Sequence, residues 1–212
     1  MGVPRFWLIA GPNGAGKTTV VQSDPFHGLL PPVHRLNADE QTLRQLRRRG
    51  YPGFHDVPGE VLFEEFSEAS EAVFREVTDK LGHGEAVCVE TVLSTSKYQP
   101  VVERTLALGG YFALVYVTVR SPDISIARVA QRVRQGGHDV PTDKVRARWH
   151  RSLEFLPWFA ARASVTWVFD NSDSDPENPP RLIAQGIDGR VRVLDPEAIL
   201  EVTRALSGLP AL

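Results

Sequence analysis

The stretch GPNGAGKTT, Gly11 to Thr19, contains the full pattern G-x-x-x-x-G-K-[ST]. Glycines let backbone N–H groups turn inward around phosphate oxygens, the lysine reaches the β- and γ-phosphates of a nucleotide, and the hydroxyl serves Mg²⁺. The apolar run Arg5–Ala10 ahead of the loop reads as a buried strand, and a helix is expected from Gly16 to about Gln22. A helix N-terminus there adds favourable partial charge. Gly11, Pro12, Asn13, Gly14, Ala15, Gly16, Lys17, Thr18 and Thr19 are therefore expected to hold the phosphates of ATP or GTP, with Lys17 also catalytic and Thr18 at the metal.

Such a loop serves switches, motors and phosphotransferases alike. The chain lacks the Asn-Lys-x-Asp guanine reader of a GTPase and an LSGGQ-like transporter signature. The apolar strand AVCVET carries one Glu followed by Thr where motor ATPases place Asp-Glu. A phosphotransferase needs an acceptor base at a strand end and arginines over the phosphates. Asp39, in LNADE, follows the second strand and can take the proton of an attacking hydroxyl, or N-cap the next helix. Glu90, with Thr91 beside it, ends the AVCVE strand on the same edge and is expected to orient the acceptor or a metal-bound water.

The segment RVAQRVRQGGHDVPTDKVRARWHR reads as helix, glycine-rich loop, helix, which suits a lid. Arg132 and Arg148 are the expected phosphate contacts, with Arg134 and Arg146 as competitors and Arg128 and Arg151 in the same segment. His138 could touch a phosphate or simply pack. Asp170 and Asn171, in FDNS, could line a base pocket or form an Asx turn. Arg44, Arg47, Arg48 and Arg49 could hold an anionic acceptor or decorate an exposed helix end.

These groups need a scaffold that brings strand ends to one edge. Apolar strands are expected at Val33–Asp39, Glu85–Thr91, Tyr111–Val119 and from Ser164 into FDNS. Between them lie expected helices at Glu40–Gly50, Glu60–Leu81, Lys97–Leu108, Pro122–Gln135 and about Thr142–Phe155. The Glu60–Leu81 helix presents one apolar stripe through Val61, Leu62, Phe66, Ala69, Val73, Val77 and Leu81. Strands alternating with helices imply an α/β fold of the P-loop NTPase/kinase kind, a parallel sheet with helices on both faces. SDSDPENPP is expected to be a flexible loop. Beyond it, Arg181–Leu194 carries the type I′ hairpin signal Asp188-Gly189, and DPEAILEVTRAL a closing helix. The expected organisation is one domain over residues 1–212, with a core at 1–172 and a C-terminal hairpin and helix at 181–212.

Composition agrees with an ordinary globular enzyme. Of 212 residues, 42% are hydrophobic and 24% charged, and the net charge of −2 calls for neither nucleic acid nor an anionic membrane. Cys88 is the single cysteine, which excludes an internal disulfide and fits a reducing cytosol. A cytoplasmic location is expected.

GPNGAGKTT, LNADE, VETVLST, RVRQGGHDVP, VRARWHRSL and VFDNS, in this order and spacing, resemble the zeta-toxin kinases, specifically the bacterial branch often labelled predicted ABC-type ATPase. The resemblance covers about Phe6 to Ser172. It implies a kinase that uses ATP and Mg²⁺ to phosphorylate the 3′-hydroxyl of the sugar in UDP-N-acetylglucosamine, with an antitoxin protein as a possible partner. It assigns the donor lysine to Lys17, the catalytic aspartate to Asp39, the substrate-binding glutamate to Glu90 and the phosphate-stabilising arginines to Arg132 and Arg148. The lid spacing and the GGHDVP loop depart from the best-known plasmid toxins, which leaves other hydroxyl acceptors open: an antibiotic, a nucleoside or a nucleic-acid end. A regulatory ATP-binding module without transfer is the reading from a different class.

Overall fold

A computed structural model describes residues 2–22, 35–173, 175 and 178–212. Its strands are β1 (Arg5–Ala10), β2 (Arg35–Asn37), β3 (Ala86–Thr91), β4 (Tyr111–Thr118), β5 (Val165–Asp170), β6 (Arg181–Ile187) and β7 (Arg190–Val193). Its helices are α1 (Lys17–Gln22), α2 (Ala38–Arg48), α3 (Gly59–Gly82), α4 (Gln99–Ala107), α5 (Pro122–Arg134), α6 (Thr142–Ala160) and α7 (Leu200–Leu206). The strands form one sheet in the order β2-β3-β1-β4-β5-β6-β7. The first five are parallel and the last two antiparallel. The architecture is the expected α/β P-loop kinase fold with a C-terminal hairpin and helix.

The two-residue period of β1 sorts its side chains into two cores. Phe6, Leu8 and Ala10 join α3, α4, α6 and α7 on one face of the sheet. Trp7 and Ile9 join Ala15 and Val20, under α1, on the other. A third, smaller cluster of Val129, Val140 and Val145 holds α5, its following loop and α6 together.

Several boundaries differ from expectation. Among the described residues the second strand is Arg35–Asn37; it ends before Asp39 because the Asn37 side chain accepts from the Asp39 N–H at 2.9 Å and starts α2 at Ala38. Val33 and His34 of that expected strand lie outside the described residues, as do Ser174, Pro176 and Glu177 of the SDSDPENPP loop. Helix α4 starts at Gln99 because the Lys97 ammonium is tied back to α3 through the Ser70 carbonyl and hydroxyl. Helix α6 runs past Phe155 and through Pro157 to Ala160, because Leu156, Phe159 and Ala160 are buried in the main core. That burial outweighs the hydrogen bond the proline cannot donate. The closing helix begins at Leu200 rather than Asp195. The Asp195 carboxylate accepts from the Glu197 N–H at 3.2 Å and holds the segment before it as a turn.

The α3 stripe is also divided. Its C-terminal half, Ala69, Val73, Val77 and Leu81, is buried in the core as expected. Leu62 and Phe66 are only partly buried and face a cavity instead. The hairpin turn has positive φ at both Asp188 and Gly189, 48° and 74°, as a type I′ turn requires.

Candidate active site

The loop after β1, the middle one of the five parallel strands, sits at their C-terminal edge, with β3 on one side and β4 on the other. Gly11 passes so close to β4 that a Cβ there would lie 1.9 Å from the Val117 carbonyl oxygen. Lys17 is 9% exposed, and its ammonium donates to the carbonyls of Gly11 at 2.9 Å and Pro12 at 3.1 Å. Burial lowers the Lys17 pKa, against the pull of Glu90 and Asp39, which favour its charge. The loop is braced from β5: the Asn171 side-chain amide donates to the Ala15 carbonyl at 2.8 Å.

Strand register delivers the acceptor-side groups. Asn37 lies opposite Glu90, and Glu90 opposite Ile9, so Asp39, Glu90 and the P-loop meet at one edge. The Thr18 hydroxyl lies 3.4 and 3.3 Å from the two Glu90 carboxylate oxygens. The Arg35 Nε lies 3.4 Å from Glu90 on its other side. Asp39 does not cap its helix; Asn37 does, and the Asp39 carboxylate lines the cavity.

That cavity, about 870 Å³, is walled by the P-loop, the ends of β2 and β3, one side of α3 and the lid formed by α5, the Gly136–Pro141 loop and α6. Lys17, Asp39, Glu90, Thr91, Arg132 and Arg148 all line it. Arg132 donates to the His138 carbonyl at 2.9 Å, while its Nε is buried without a partner. Arg148 reaches the Asn13 side-chain oxygen at 3.5 Å, and burial lowers its pKa. The competitors point elsewhere. Arg146 pairs with Asp123 at 2.6 Å on the surface, Arg134 and Arg151 are exposed, and Arg128 donates to the carbonyls of Asn171 and Asp173, both at 2.7 Å.

His138 lines the cavity and packs its ring on Phe66 and Phe54, with centroids 4.2 and 5.3 Å away. Burial lowers its pKa, so the neutral imidazole is favoured. Asp170 forms the Asx turn, accepting from the Ser172 N–H at 2.9 Å. Of the arginine cluster after β2, Arg49 pairs with Glu64 and Glu65, Arg47 turns to the Pro52 carbonyl, and none of the four lines the cavity.

Arg35 and the cavity-facing side of α3 carry no expectation from sequence, and Asn171, expected at a base pocket or in an Asx turn, instead braces the P-loop through the Ala15 carbonyl. Arg35 carries a weak signal, a charged residue in a short apolar strand beside LNAD. Phe63 carries a stronger one: it falls off the buried stripe of an amphipathic helix.

Among solved structures, the AvrRxo1-ORF1:-ORF2 complex with ATP superposes with a TM-score of 0.71 at 16% identity, covering 95% of this chain and 64% of that one. The chain thus spans about two thirds of that protein. The PezAT chromosomal toxin–antitoxin system of Streptococcus pneumoniae gives 0.56 at 14% identity, covering 99% and 78%. The Pnkp1/Rnl/Hen1 RNA repair complex gives 0.53 at 17% identity, covering 75% and 47%. At these identities the likeness is one of fold. No curated protein matches the chain in sequence. Residues 2–175 match the zeta toxin family, a span that holds the P-loop, both acceptor-side carboxylates and both cavity-lining lid arginines, and the chain belongs to that family.

Proposed function

We propose that the chain is an ATP-dependent kinase that transfers the γ-phosphate to a hydroxyl of a small molecule, the 3′-hydroxyl of UDP-N-acetylglucosamine. The observation that carries this reading is the convergence of Lys17, Asp39, Glu90, Arg132 and Arg148 on one cavity from separate segments of the chain. A nucleotide switch has no use for an acceptor carboxylate at hydroxyl-attack position; a phosphotransferase requires one. Family membership and the ATP in the AvrRxo1 complex support the choice of donor.

In this mechanism the acceptor oxygen attacks the γ-phosphorus as the bond to the β–γ bridging oxygen breaks, and ADP departs. Asp39 accepts the proton of the hydroxyl. Lys17 leaves its two carbonyls for the β- and γ-phosphates. Arg132 and Arg148 neutralise charge on the transferred group, and the lid excludes water. The all-oxygen pair Thr18 and Glu90 fits Mg²⁺, which prefers hard oxygen ligands. Thr18 would hold the ion directly and Glu90 through water. Bound there, Mg²⁺ would offset the phosphate charge. Glu90 and Thr91 also face the acceptor side of the cavity and are proposed to orient the sugar.

A protein antitoxin is proposed as a partner, as PezAT is a toxin–antitoxin system. Residues 1–212 are proposed to act as one domain. No helix among the described residues is long and apolar enough to cross a membrane.

The test is phosphate transfer from ATP to UDP-N-acetylglucosamine, read by mass spectrometry of the product. Wild type should give one added phosphate at the sugar 3′-oxygen, and Asp39→Asn should slow transfer by about 10² or more. Absence of product with wild type, or equal rates with the variant, overturns the proposal.

A further inference from the structure

The cavity extends well beyond the groups that handle the phosphate. On α3 its wall runs from Gly59 through Leu62, Phe63, Phe66 and Ser70 to Glu71, roughly 18 Å at 1.5 Å per residue. A lone sugar ring with its hydroxyl at Asp39 would leave much of that wall untouched.

Two side chains on this wall and the lid opposite lack partners among the described residues. Phe63 is 75% exposed, the one aromatic among the exposed large hydrophobics of the described residues. One turn on, Phe66 sits in a three-ring cluster, with Phe54 nearly parallel at 5.8 Å and His138 at 4.2 Å. Among the described residues, Phe63 has no such ring against it. A phenyl face left in water forfeits burial energy that a planar ligand could recover. Across the cavity, Lys144 in the first turn of α6 is exposed and makes no hydrogen bond or ion pair among the described residues. The other cavity lysine on the acceptor side, Lys97, is already held by Ser70 and Glu71.

Resting on the kinase reading above, we infer that Phe63 is the acceptor-selecting residue: it stacks the nucleobase of a nucleotide-linked acceptor flat on its face, Lys144 pairs with the diphosphate, and the base is not read by its edge. The last point follows from exposure. A ring lying on Phe63 keeps its edges toward solvent; of the cavity-lining neighbours on α3, Gly59, Leu62 and Phe66 offer no side-chain donor or acceptor, and Ser67 already donates its hydroxyl proton to the Phe63 carbonyl at 2.9 Å. Stacking on an aromatic face tolerates any base, because every base has a π-face. The site therefore selects for a planar ring at a set distance from the reacting hydroxyl and accepts uridine, cytidine and adenosine forms alike.

The experiment is calorimetric binding to enzyme saturated with a non-hydrolysable ATP analogue, so that the donor site is filled. The probes share one sugar: UDP-glucose, CDP-glucose, ADP-glucose and the base-free glucose 1-phosphate. The three nucleotide sugars should bind within about fivefold of each other. Phe63→Ala should weaken each by about tenfold or more and leave glucose 1-phosphate unchanged, while Phe63→Trp retains binding. Lys144→Ala should weaken all four probes. The inference is overturned if Phe63→Ala binds as wild type does, if one base is preferred by more than a hundredfold, or if no nucleotide sugar binds. Binding is read without chemistry. Stacking on Phe63 with no phosphate transferred would defeat the kinase reading alone, and transfer with indifference to Phe63 would defeat this inference alone.

Discussion

Lys17 is held by the two carbonyls it must leave in order to meet a phosphate. Its ammonium is buried, and burial lowers its pKa, so the fold bears a cost for keeping a cation there before nucleotide arrives. Lys17→Met should therefore stabilise the nucleotide-free protein, by on the order of 1 kcal/mol or a few degrees in Tm. The same change should abolish transfer. The pH dependence has a definite sign. In the window between the lowered native pKa and the ordinary 10.5, the unfolded chain binds more protons than the native one, so wild-type stability rises with pH there. The advantage of the variant should narrow as pH climbs toward 10.5. Thermal melts of both proteins across neutral to alkaline pH check this; a variant less stable than wild type at neutral pH contradicts it. Of the residues in this neighbourhood, Lys17 and Thr18 were legible because the motif fixes four residues at set spacing within eight consecutive positions. Asp39 was legible as a site but ambiguous as a cap, and only the Asn37 side chain resolved it. Arg35 was not legible: its meaning depends on Glu90, 55 positions along the chain and one strand over.

At the scale of elements, the position of Arg148 depends on how α6 is fastened to the sheet. Trp149, next to Arg148, is buried and donates from its indole to the Val119 carbonyl at 3.1 Å. Ser152, a turn further on, meets the Tyr116 hydroxyl at 3.0 Å. The first anchor fixes the part of the helix that carries Arg148; the second fixes the part behind it. Trp149→Phe should cost about 2 kcal/mol, through a lost buried hydrogen bond and lost volume, and should also lower the transfer rate. Tyr116→Phe should cost about 1 kcal/mol and leave the rate at wild-type level. Urea denaturation and initial rates on the same preparations separate the two; equal rate losses would mean that α6 shifts as a whole. The existence of α6 and of the glycine-rich bend before it could be read from periodicity. Its extent could not, because Pro157 reads as a stop and the core residues beyond it are apolar at positions that make sense only once β4 is in place. The same holds for α3, whose single apolar stripe serves a core at one end and a cavity wall at the other.

The whole molecule raises the question of where the working unit ends. The family match stops at residue 175, before β6, β7 and α7. Packing argues that the tail is not an accessory. β6 continues the sheet antiparallel to β5, and Ile183, Ala184, Ile199, Val202 and Leu206 lie in the same core cluster as Phe6, Leu8 and Leu156. Arg181 from β6 also pairs with Asp170, the residue that shapes the turn leading to Asn171 and its brace on the P-loop. Each fully buried aliphatic side chain contributes about 1.5–3 kcal/mol, so losing this group removes an amount comparable to the ~5–15 kcal/mol that holds a domain together. A chain truncated after residue 178 should not fold: it should lose cooperative thermal unfolding and bind a hydrophobic dye at neutral pH. Restoring residues 179–212 as a separate peptide should not rescue nucleotide binding at micromolar concentrations, since strand and helix would have to dock together and pay their ordering entropy at once. A truncated protein with a sharp melting transition and intact ATP affinity would instead place the boundary of the folding unit at the end of the family match, and would make the hairpin and helix an appendage available for another role.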